Sequence, residues 1–132
     1  MPDCIRVLCL DDEKNILNTV RRQLEDDSFQ VFQAQTVEEA LRILESEQPL
    51  HVVLSDYRMP GTTGVDFLRT VAGRWPWISG IIISGFADTQ AVQRALADNP
   101  AMHFIAKPWT MEELLRIVRQ AASQAREVLT GG

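Results

Sequence analysis

Four apolar stretches of the sequence each end in polar residues that could take part in phosphate or metal chemistry. They are Ile5–Leu10 before Asp11 and Asp12, Val52–Leu54 before Ser55 and Asp56, Ile81–Ile83 before Ser84, and Phe104–Ala106 before Lys107. Three carboxylates brought together repel one another unless a cation or a raised pKa relieves the charge. One lysine leaves a deficit of about two charges, which suits a hard divalent ion such as Mg²⁺.

Asp56 is the best-placed nucleophile of this set, because its strand is predicted to lie in the middle of the constellation. With a cation present, a phosphoryl group could approach the Asp56 carboxylate and share its oxygens with the Lys107 ammonium and the Ser84 hydroxyl. Each feature alone has a simple structural explanation, since an Asp pair after a strand often caps a helix and Ser-Gly often forms a turn. The chemistry depends on whether the strand ends meet in space.

The order of apolar patterns along the chain predicts that they do meet. Five strand patterns alternate with five helical ones, which indicates an α/β fold with parallel strands. Phe29–Ala34 is polar and His103–Ala106 is short, so these two strands suit the sheet edges. We therefore predict a flavodoxin-like (βα)5, doubly wound, parallel five-stranded sheet in the order 2-1-3-4-5, with helices on both faces. Asp11, Asp12 and Asp56 would then flank the crevice where the strand order reverses.

Two helix starts carry the sequence pattern of a capping box. Thr36 is followed three residues later by Glu39, and Thr110 by Glu113. In this pattern the threonine hydroxyl accepts a hydrogen bond from the glutamate backbone, and the glutamate side chain accepts one from the threonine backbone. We predict that the second and the last helix begin at these threonines.

Composition limits the range of functions. The chain has 132 residues, 45% of them hydrophobic, which fits one domain with a proper core. A net charge of -5 argues against a general nucleic-acid-binding surface.

Cys4 and Cys9 would lie about 16 Å apart along one strand, beyond the reach of a disulfide. No signal peptide and no membrane span is apparent, so we expect a soluble cytoplasmic protein.

The chain resembles the receiver domains of two-component response regulators, of which the chemotaxis regulator is an example. The resemblance covers about residues 4–124, and these residues carry it: Asp11-Asp12, Asp56 with Met59-Pro60-Gly61 and Gly64 behind it, Ser84-Gly85, and Lys107-Pro108. It implies a receiver domain in residues 1–124, followed in residues 125–132 by the end of the last helix and a tail or linker.

The resemblance assigns roles to the strand-end residues. Asp56 would be the phosphoacceptor. Asp12 and Asp56 would bind Mg²⁺ directly with the backbone carbonyl of Arg58, and Asp11 would assist through water. Lys107 would pair with the phosphoryl group, commonly across a cis Lys-Pro bond.

The resemblance also implies a switch. The backbone of Tyr57 and Gly85 would bind the phosphoryl oxygens. Ser84 would move toward the phosphoryl group, and Phe104 would turn into the space that Ser84 vacates. The surface of the fourth helix, fifth strand and fifth helix would then carry the output, and it could also form a homodimer. Phe104 is equally consistent with a packed aromatic of the edge strand.

The function implied by the resemblance is signal reception. A sensor histidine kinase would donate the phosphoryl group, and an output domain or effector protein would respond. Such a receiver catalyses only its own phosphotransfer and dephosphorylation and makes no direct contact with nucleic acid or membrane. The chain is either a stand-alone regulator or a receiver excised from a longer protein. The segments around Arg58 and Phe86 resemble receivers that precede cyclic-di-GMP phosphodiesterase (HD-GYP) or other signalling outputs, which slightly favours the second.

Other functions fit the residues less well. A flavin-binding module needs a phosphate loop rich in Gly, Ser and Thr, whereas Leu10 is followed by three acidic residues. A haloacid-dehalogenase-type phosphatase requires a second Asp two residues after the nucleophile, and Arg58 occupies that position. The alternative that remains is a receiver-like interaction module that works without phosphorylation. Such modules usually lose an acidic residue or the lysine, and this chain retains them all.

Two further features have a functional and a structural explanation. Arg58 and Phe86 could restrict access of water to a phosphorylated Asp56, or Arg58 could be a solvated loop residue. Trp75, Trp77 and Trp109 could form a partner surface, although tryptophans more often cover the edges of a core.

Overall fold

The computed structural model describes residues 4–25, 28–85, 89–99 and 102–130. Five strands alternate with five helices along the chain. The strands are β1 (Ile5–Leu10), β2 (Phe29–Ala34), β3 (Val52–Asp56), β4 (Ser79–Ser84) and β5 (Met102–Ala106). The helices are α1 (Lys14–Leu24), α2 (Val37–Ser46), α3 (Gly64–Arg74), α4 (Thr89–Asp98) and α5 (Met111–Leu129). Between β3 and α3, Arg58–Met59 and Thr62–Thr63 form a two-residue antiparallel ladder.

The five strands form one parallel sheet in the order β2-β1-β3-β4-β5, which confirms the predicted fold and strand order. β1, β3 and β4, the strands with the strongest apolar runs, lie inside the sheet and are almost completely buried. The polar β2 and the short β5 are its edges. Because all five strands run in the same direction, the residues that follow them gather at one edge of the sheet.

Side chains of the sheet alternate between two separate cores, one on each face. Leu8 and Leu10 of β1 belong to the core that α2, α3 and α4 cover, whereas Val7 and Cys9 belong to the core under α1 and α5. The helices therefore lie on both faces, as predicted. Cys4 and Cys9 are free thiols, and complete burial raises the pKa of Cys9 far above its usual range.

The helix starts agree with the sequence in part. Thr110 and Glu113 form the complete capping box at the start of α5. Thr36 accepts a hydrogen bond from the backbone N–H of Glu39, but the Glu39 carboxylate accepts from the backbone of Gln35 instead of Thr36. The capping box at Thr36 is therefore only half formed, because the Glu39 side chain bonds the backbone one residue before Thr36.

The last helix continues beyond the predicted domain boundary at residue 124 and ends at Leu129. Residues 131 and 132 of the predicted tail and Phe86 lie outside the described residues. No helix in the described part of the chain is both long and apolar enough to cross a membrane.

Candidate phosphoryl and metal site

The predicted site residues meet at the carboxyl edge of the sheet. Lys107 Nζ lies 3.0 Å from Asp56 Oδ1, and one carboxylate oxygen each of Asp11, Asp12 and Asp56 lie within 4.8 Å of one another. Backbone hydrogen bonds to neighbouring strands hold two of the residues that follow the strands. The Asp11 N–H donates to the Ala34 carbonyl at 3.1 Å, and the Lys107 N–H donates to the Ser84 carbonyl at 2.9 Å. The sheet itself therefore sets the positions of these side chains.

Asp11 is completely buried and only half satisfied. Its Oδ1 accepts a hydrogen bond from the backbone N–H of Glu13 at 2.8 Å, whereas its Oδ2 has no hydrogen-bond partner among the described residues. Burial raises the pKa of Asp11 to about 6, and the negative charge of Asp56 adds to the effect. A buried carboxylate oxygen without a donor is unfavourable unless a proton or a cation compensates it. Asp11, Asp12 and Asp56 thus fit a divalent cation with oxygen ligands.

Asp56 and Lys107 form a largely buried ion pair. Burial raises the pKa of Asp56, and the hydrogen bond and charge of Lys107 oppose this shift. For Lys107, burial acts to lower the pKa, but the hydrogen bond and charge of Asp56, together with Asp11 and Glu13, outweigh it and raise the value. Lys107 is therefore cationic at neutral pH, next to a carboxylate that is a candidate nucleophile.

The loop that follows Asp56 passes close to the backbone of Asp56. Gly64 N–H donates to the Tyr57 carbonyl at 2.7 Å, and a Cβ atom on Gly64 would collide with the Asp56 carbonyl oxygen. The buried Ser55 hydroxyl donates to the same carbonyl oxygen at 3.0 Å. Gly61 turns the loop at a φ of 81°, a left-handed conformation that favours glycine. The sequence identified both glycines as part of a motif, but it did not indicate that Gly64 and Ser55 fix the Asp56 backbone.

The predicted phosphoryl-binding and switch residues lie around the same edge. Ser84 is buried, and its hydroxyl donates to the Gly85 carbonyl at 3.0 Å. Phe104 is half-buried and packs against the core under α4. The backbone N–H of Tyr57 donates to the Ile83 carbonyl at 2.8 Å. In this structure the Tyr57 amide is thus engaged with β4, and its role in binding a phosphoryl oxygen stays a prediction.

Arg58 and two of the tryptophans take positions that the sequence left open. Arg58 is exposed and pairs with Thr63 in the short ladder behind Asp56. Trp75 is buried, and the indole N–H of Trp77 donates to the Leu50 carbonyl at 3.0 Å. These two tryptophans therefore cover the edge of a core. The Lys107-Pro108 peptide bond is cis, as the resemblance implied.

The raised pKa of Asp11 predicts how pH affects the Mg²⁺-free domain. The folded value of about 6 exceeds the value of about 3.9 for an unfolded chain, so the folded state binds the proton more tightly between these pH values. The free energy of unfolding contributed by Asp11 therefore falls as the pH rises through this window. Because Mg²⁺ binds the carboxylate form, we expect it to raise Tm more at pH 7.5 than at pH 5.5.

Thermal unfolding followed by circular dichroism, in EDTA and in Mg²⁺, tests this expectation. The matched variant is Asp11→Asn, which keeps the side-chain shape but removes the charge. It should flatten the pH dependence in EDTA and lose most of the stabilisation by Mg²⁺. An equal Mg²⁺ response of the original chain at both pH values would contradict the prediction.

Comparisons with known proteins agree with this geometry. The model of the response regulator receiver domain matches residues 7–119. The hydrogenase transcriptional regulatory protein HoxA of Cupriavidus necator is 42% identical over 115 residues, which are 87% of this chain and 23% of that protein. The HoxA protein of Bradyrhizobium diazoefficiens is 33% identical over 91% of this chain and 24% of its own length. The chain thus spans about a quarter of the length of these curated relatives.

A solved structure extends the similarity to three dimensions. The response regulator receiver domain protein from Clostridium thermocellum superposes with a TM-score of 0.85 at 29% identity, covering 94% of this chain and 98% of that one. The fold, the family match and the clustered strand-end residues lead to the same assignment. The chain belongs to the response regulator receiver domain family.

Proposed function

We propose that this receiver accepts a phosphoryl group on Asp56 from the phosphohistidine of a sensor histidine kinase and passes the signal to an output domain or effector protein. The observation that supports the proposal most directly is the meeting of three carboxylates within 4.8 Å beside a lysine bonded to one of them. That arrangement combines a nucleophile, ligands for a cation and a positive charge for the phosphoryl oxygens.

The proposed transfer forms one bond and breaks one. An Asp56 carboxylate oxygen attacks phosphorus, the P–N bond to the kinase histidine breaks, and the imidazole leaves with the electron pair and takes up a proton. Lys107 passes its hydrogen bond from Asp56 to a phosphoryl oxygen. Asp12, Asp56 and the Arg58 backbone carbonyl, with Asp11 assisting through water, would hold Mg²⁺, which would supply positive charge that offsets the phosphoryl oxygens.

The same proposal includes a switch. The Ser84 hydroxyl donates to the Gly85 carbonyl in the unphosphorylated chain, and a dianionic phosphoryl group is a stronger acceptor. If Ser84 turns toward it, Phe104 gains space to turn inward, which alters the surface formed by α4, β5 and α5. We propose this surface as the output face and as the site of a homodimer. The phosphoryl oxygens would use the backbone of Gly85, and that of Tyr57 only after its bond to Ile83 breaks.

The names of the relatives suggest what the receiver controls. HoxA is called a hydrogenase transcriptional regulatory protein, and a relative from Proteus hauseri is called the DNA-binding transcriptional regulator NtrC. We propose that this receiver likewise acts in the cytoplasm as one domain of a transcriptional regulator, with residues 1–124 as the receiver and residues 125–132 as the end of the last helix and a tail or linker. The alternative, an interaction module that works without phosphorylation, does not account for the retained acidic cluster and lysine.

Intact-mass measurement tests the proposal. The chain is incubated with Mg²⁺ and acetyl phosphate, and we expect it to gain the mass of one phosphoryl group. Because an acyl phosphate is labile, hydroxylamine should remove the added mass, and EDTA should prevent its addition. Absence of any added mass under these conditions would contradict phosphorylation and favour the interaction module.

A further inference from the structure

Trp109 is attached to a different part of the molecule from the other two tryptophans. Its indole N–H donates to the side-chain oxygen of Gln23 at 2.9 Å, across 86 residues of sequence. Gln23 lies near the end of α1, and Trp109 lies two residues after Lys107 in the loop between β5 and α5. This hydrogen bond therefore joins α1 to the loop that carries the lysine of the site.

A groove of about 340 Å³ runs between α1 and this loop. Its lining residues are Ile16, Thr19 and Gln23 on α1, spaced along one helix face, and Lys107, Pro108 and Trp109 on the loop. The ring of Trp109 is half-buried and packs against the core under α1 and α5. Lys107 and Trp109 thus lie on the same wall of this groove, and the hydrogen bond from Trp109 to Gln23 joins that wall to α1.

The loop has anchors on both sides of Lys107. The Lys107 backbone N–H bonds the Ser84 carbonyl at 2.9 Å, and Thr110 begins α5 with its capping box. The Lys107 side chain bonds Asp56, the proposed phosphoacceptor. When Lys107 exchanges the Asp56 oxygen for a phosphoryl oxygen, the anchors on the rest of the loop still hold its backbone in place. The Trp109 indole adds an anchor on α1.

We propose that Trp109 and Gln23 are positioning residues: their hydrogen bond fastens the β5–α5 loop to α1 and so places the Lys107 ammonium for phosphoryl transfer. The proposal rests on the proposed function, because Lys107 acts in that reaction. The indole ring packs against the core, whereas its N–H makes the hydrogen bond that holds the loop against α1. A variant that tests the proposal therefore removes the N–H and keeps an aromatic ring.

The test compares initial rates of phosphorylation by acetyl phosphate at saturating Mg²⁺. Trp109→Phe keeps an aromatic ring in the core but has no N–H, and Gln23→Met keeps the length of the side chain but has no strong acceptor. We expect each variant to react about three- to tenfold more slowly, because small displacements of a positioning group have effects of this size or larger. The double variant should be no slower than either single variant, because both remove the same bond.

Trp77→Phe is the matched control, since it also removes an indole N–H that is bonded to a carbonyl, but at Leu50, away from the site. We expect it to react at the original rate. Mg²⁺ affinity should be unchanged in all variants, because none alters the three carboxylates. Circular dichroism melting identifies the folded variants, and Gln23→Met, at a half-buried helix position, provides a test if Trp109→Phe does not fold.

A Lys107→Met background decides whether the effect passes through the lysine. In that background, Trp109→Phe or Gln23→Met should cause no further loss of rate. A further loss there, or folded single variants that react as fast as the Trp77→Phe control, would overturn the inference. The proposed function is judged separately: if the original chain gains phosphoryl mass while the variants match it, only the positioning role fails.

Discussion

Asp56→Asn is expected to abolish the gain of phosphoryl mass from acetyl phosphate in the presence of Mg²⁺. The amide is similar in shape to the carboxylate, but it lacks the negative charge and the nucleophilic oxygen that the transfer needs. The variant also removes one of the three carboxylates that lie within 4.8 Å, so Mg²⁺ should bind less tightly. Intact-mass spectrometry with a titration of Mg²⁺ measures both effects.

Asp66→Asn is the appropriate control for this variant. Asp66 is an aspartate in the first turn of α3, and its side chain is exposed. It should gain phosphoryl mass as the original chain does. Undiminished addition in Asp56→Asn would show that another residue accepts the phosphoryl group and would refute the assignment of the site.

Gly64→Ala is expected to destabilise the domain strongly. The new Cβ would overlap the Asp56 carbonyl oxygen and lie 3.0 Å from the Ser55 hydroxyl. A backbone oxygen inside the sheet cannot move aside as a flexible side chain can, so we expect a loss of about 3 kcal/mol in the free energy of unfolding. Folded protein should also be phosphorylated at least about tenfold more slowly, because the overlap displaces the Asp56 backbone.

Gly73→Ala in the same helix is the matched control. Gly73 lies inside α3, and apart from the backbone of its own helix a Cβ there would meet no atom of the described residues within 4 Å. Alanine there should stabilise the domain by about 0.5–1 kcal/mol, because it reduces the conformational freedom of the unfolded chain. Urea unfolding of both variants measures the difference. Equal stabilities of the two variants would contradict the close approach at Gly64.

The strand order could be predicted from the sequence because the burial of a strand determines its apolar character, and burial in turn depends on whether the strand lies inside the sheet or at its edge. An internal strand of a parallel sheet is covered on both faces, so its sequence is continuously apolar, as in Ile81–Ile83, whereas an edge strand tolerates polar residues such as Gln30. Residues that follow parallel strands then meet at one edge. The clustering of Asp11, Asp56 and Lys107 follows from this order without knowledge of any distance.

The partners of individual hydrogen bonds near the strand ends and helix starts could not be predicted. The hydroxyl of Ser55 bonds the carbonyl of its own neighbour Asp56, and no spacing in the sequence marks that bond. The backbone of Tyr57 continues the ladder with β4, because hydrogen bonding in a sheet does not stop where the apolar pattern stops. Glu39 caps Gln35 for a similar reason: a flexible side chain selects among neighbouring donors by local geometry.

The order of the strands also limits which residue can stand at position 107. β4 separates the strand that ends in Asp56 from the strand before Lys107, so these backbones lie two strand spacings apart, or about 9–10 Å. Lys107 nevertheless bonds Asp56 at 3.0 Å, so its side chain must extend over the end of β4, where Ser84 lies. A shorter cation could not span this distance. In the resting protein the methylene chain of Lys107 therefore acts as a bridge across the neighbouring strand, and the requirement for a long side chain at this position comes from topology as well as from charge.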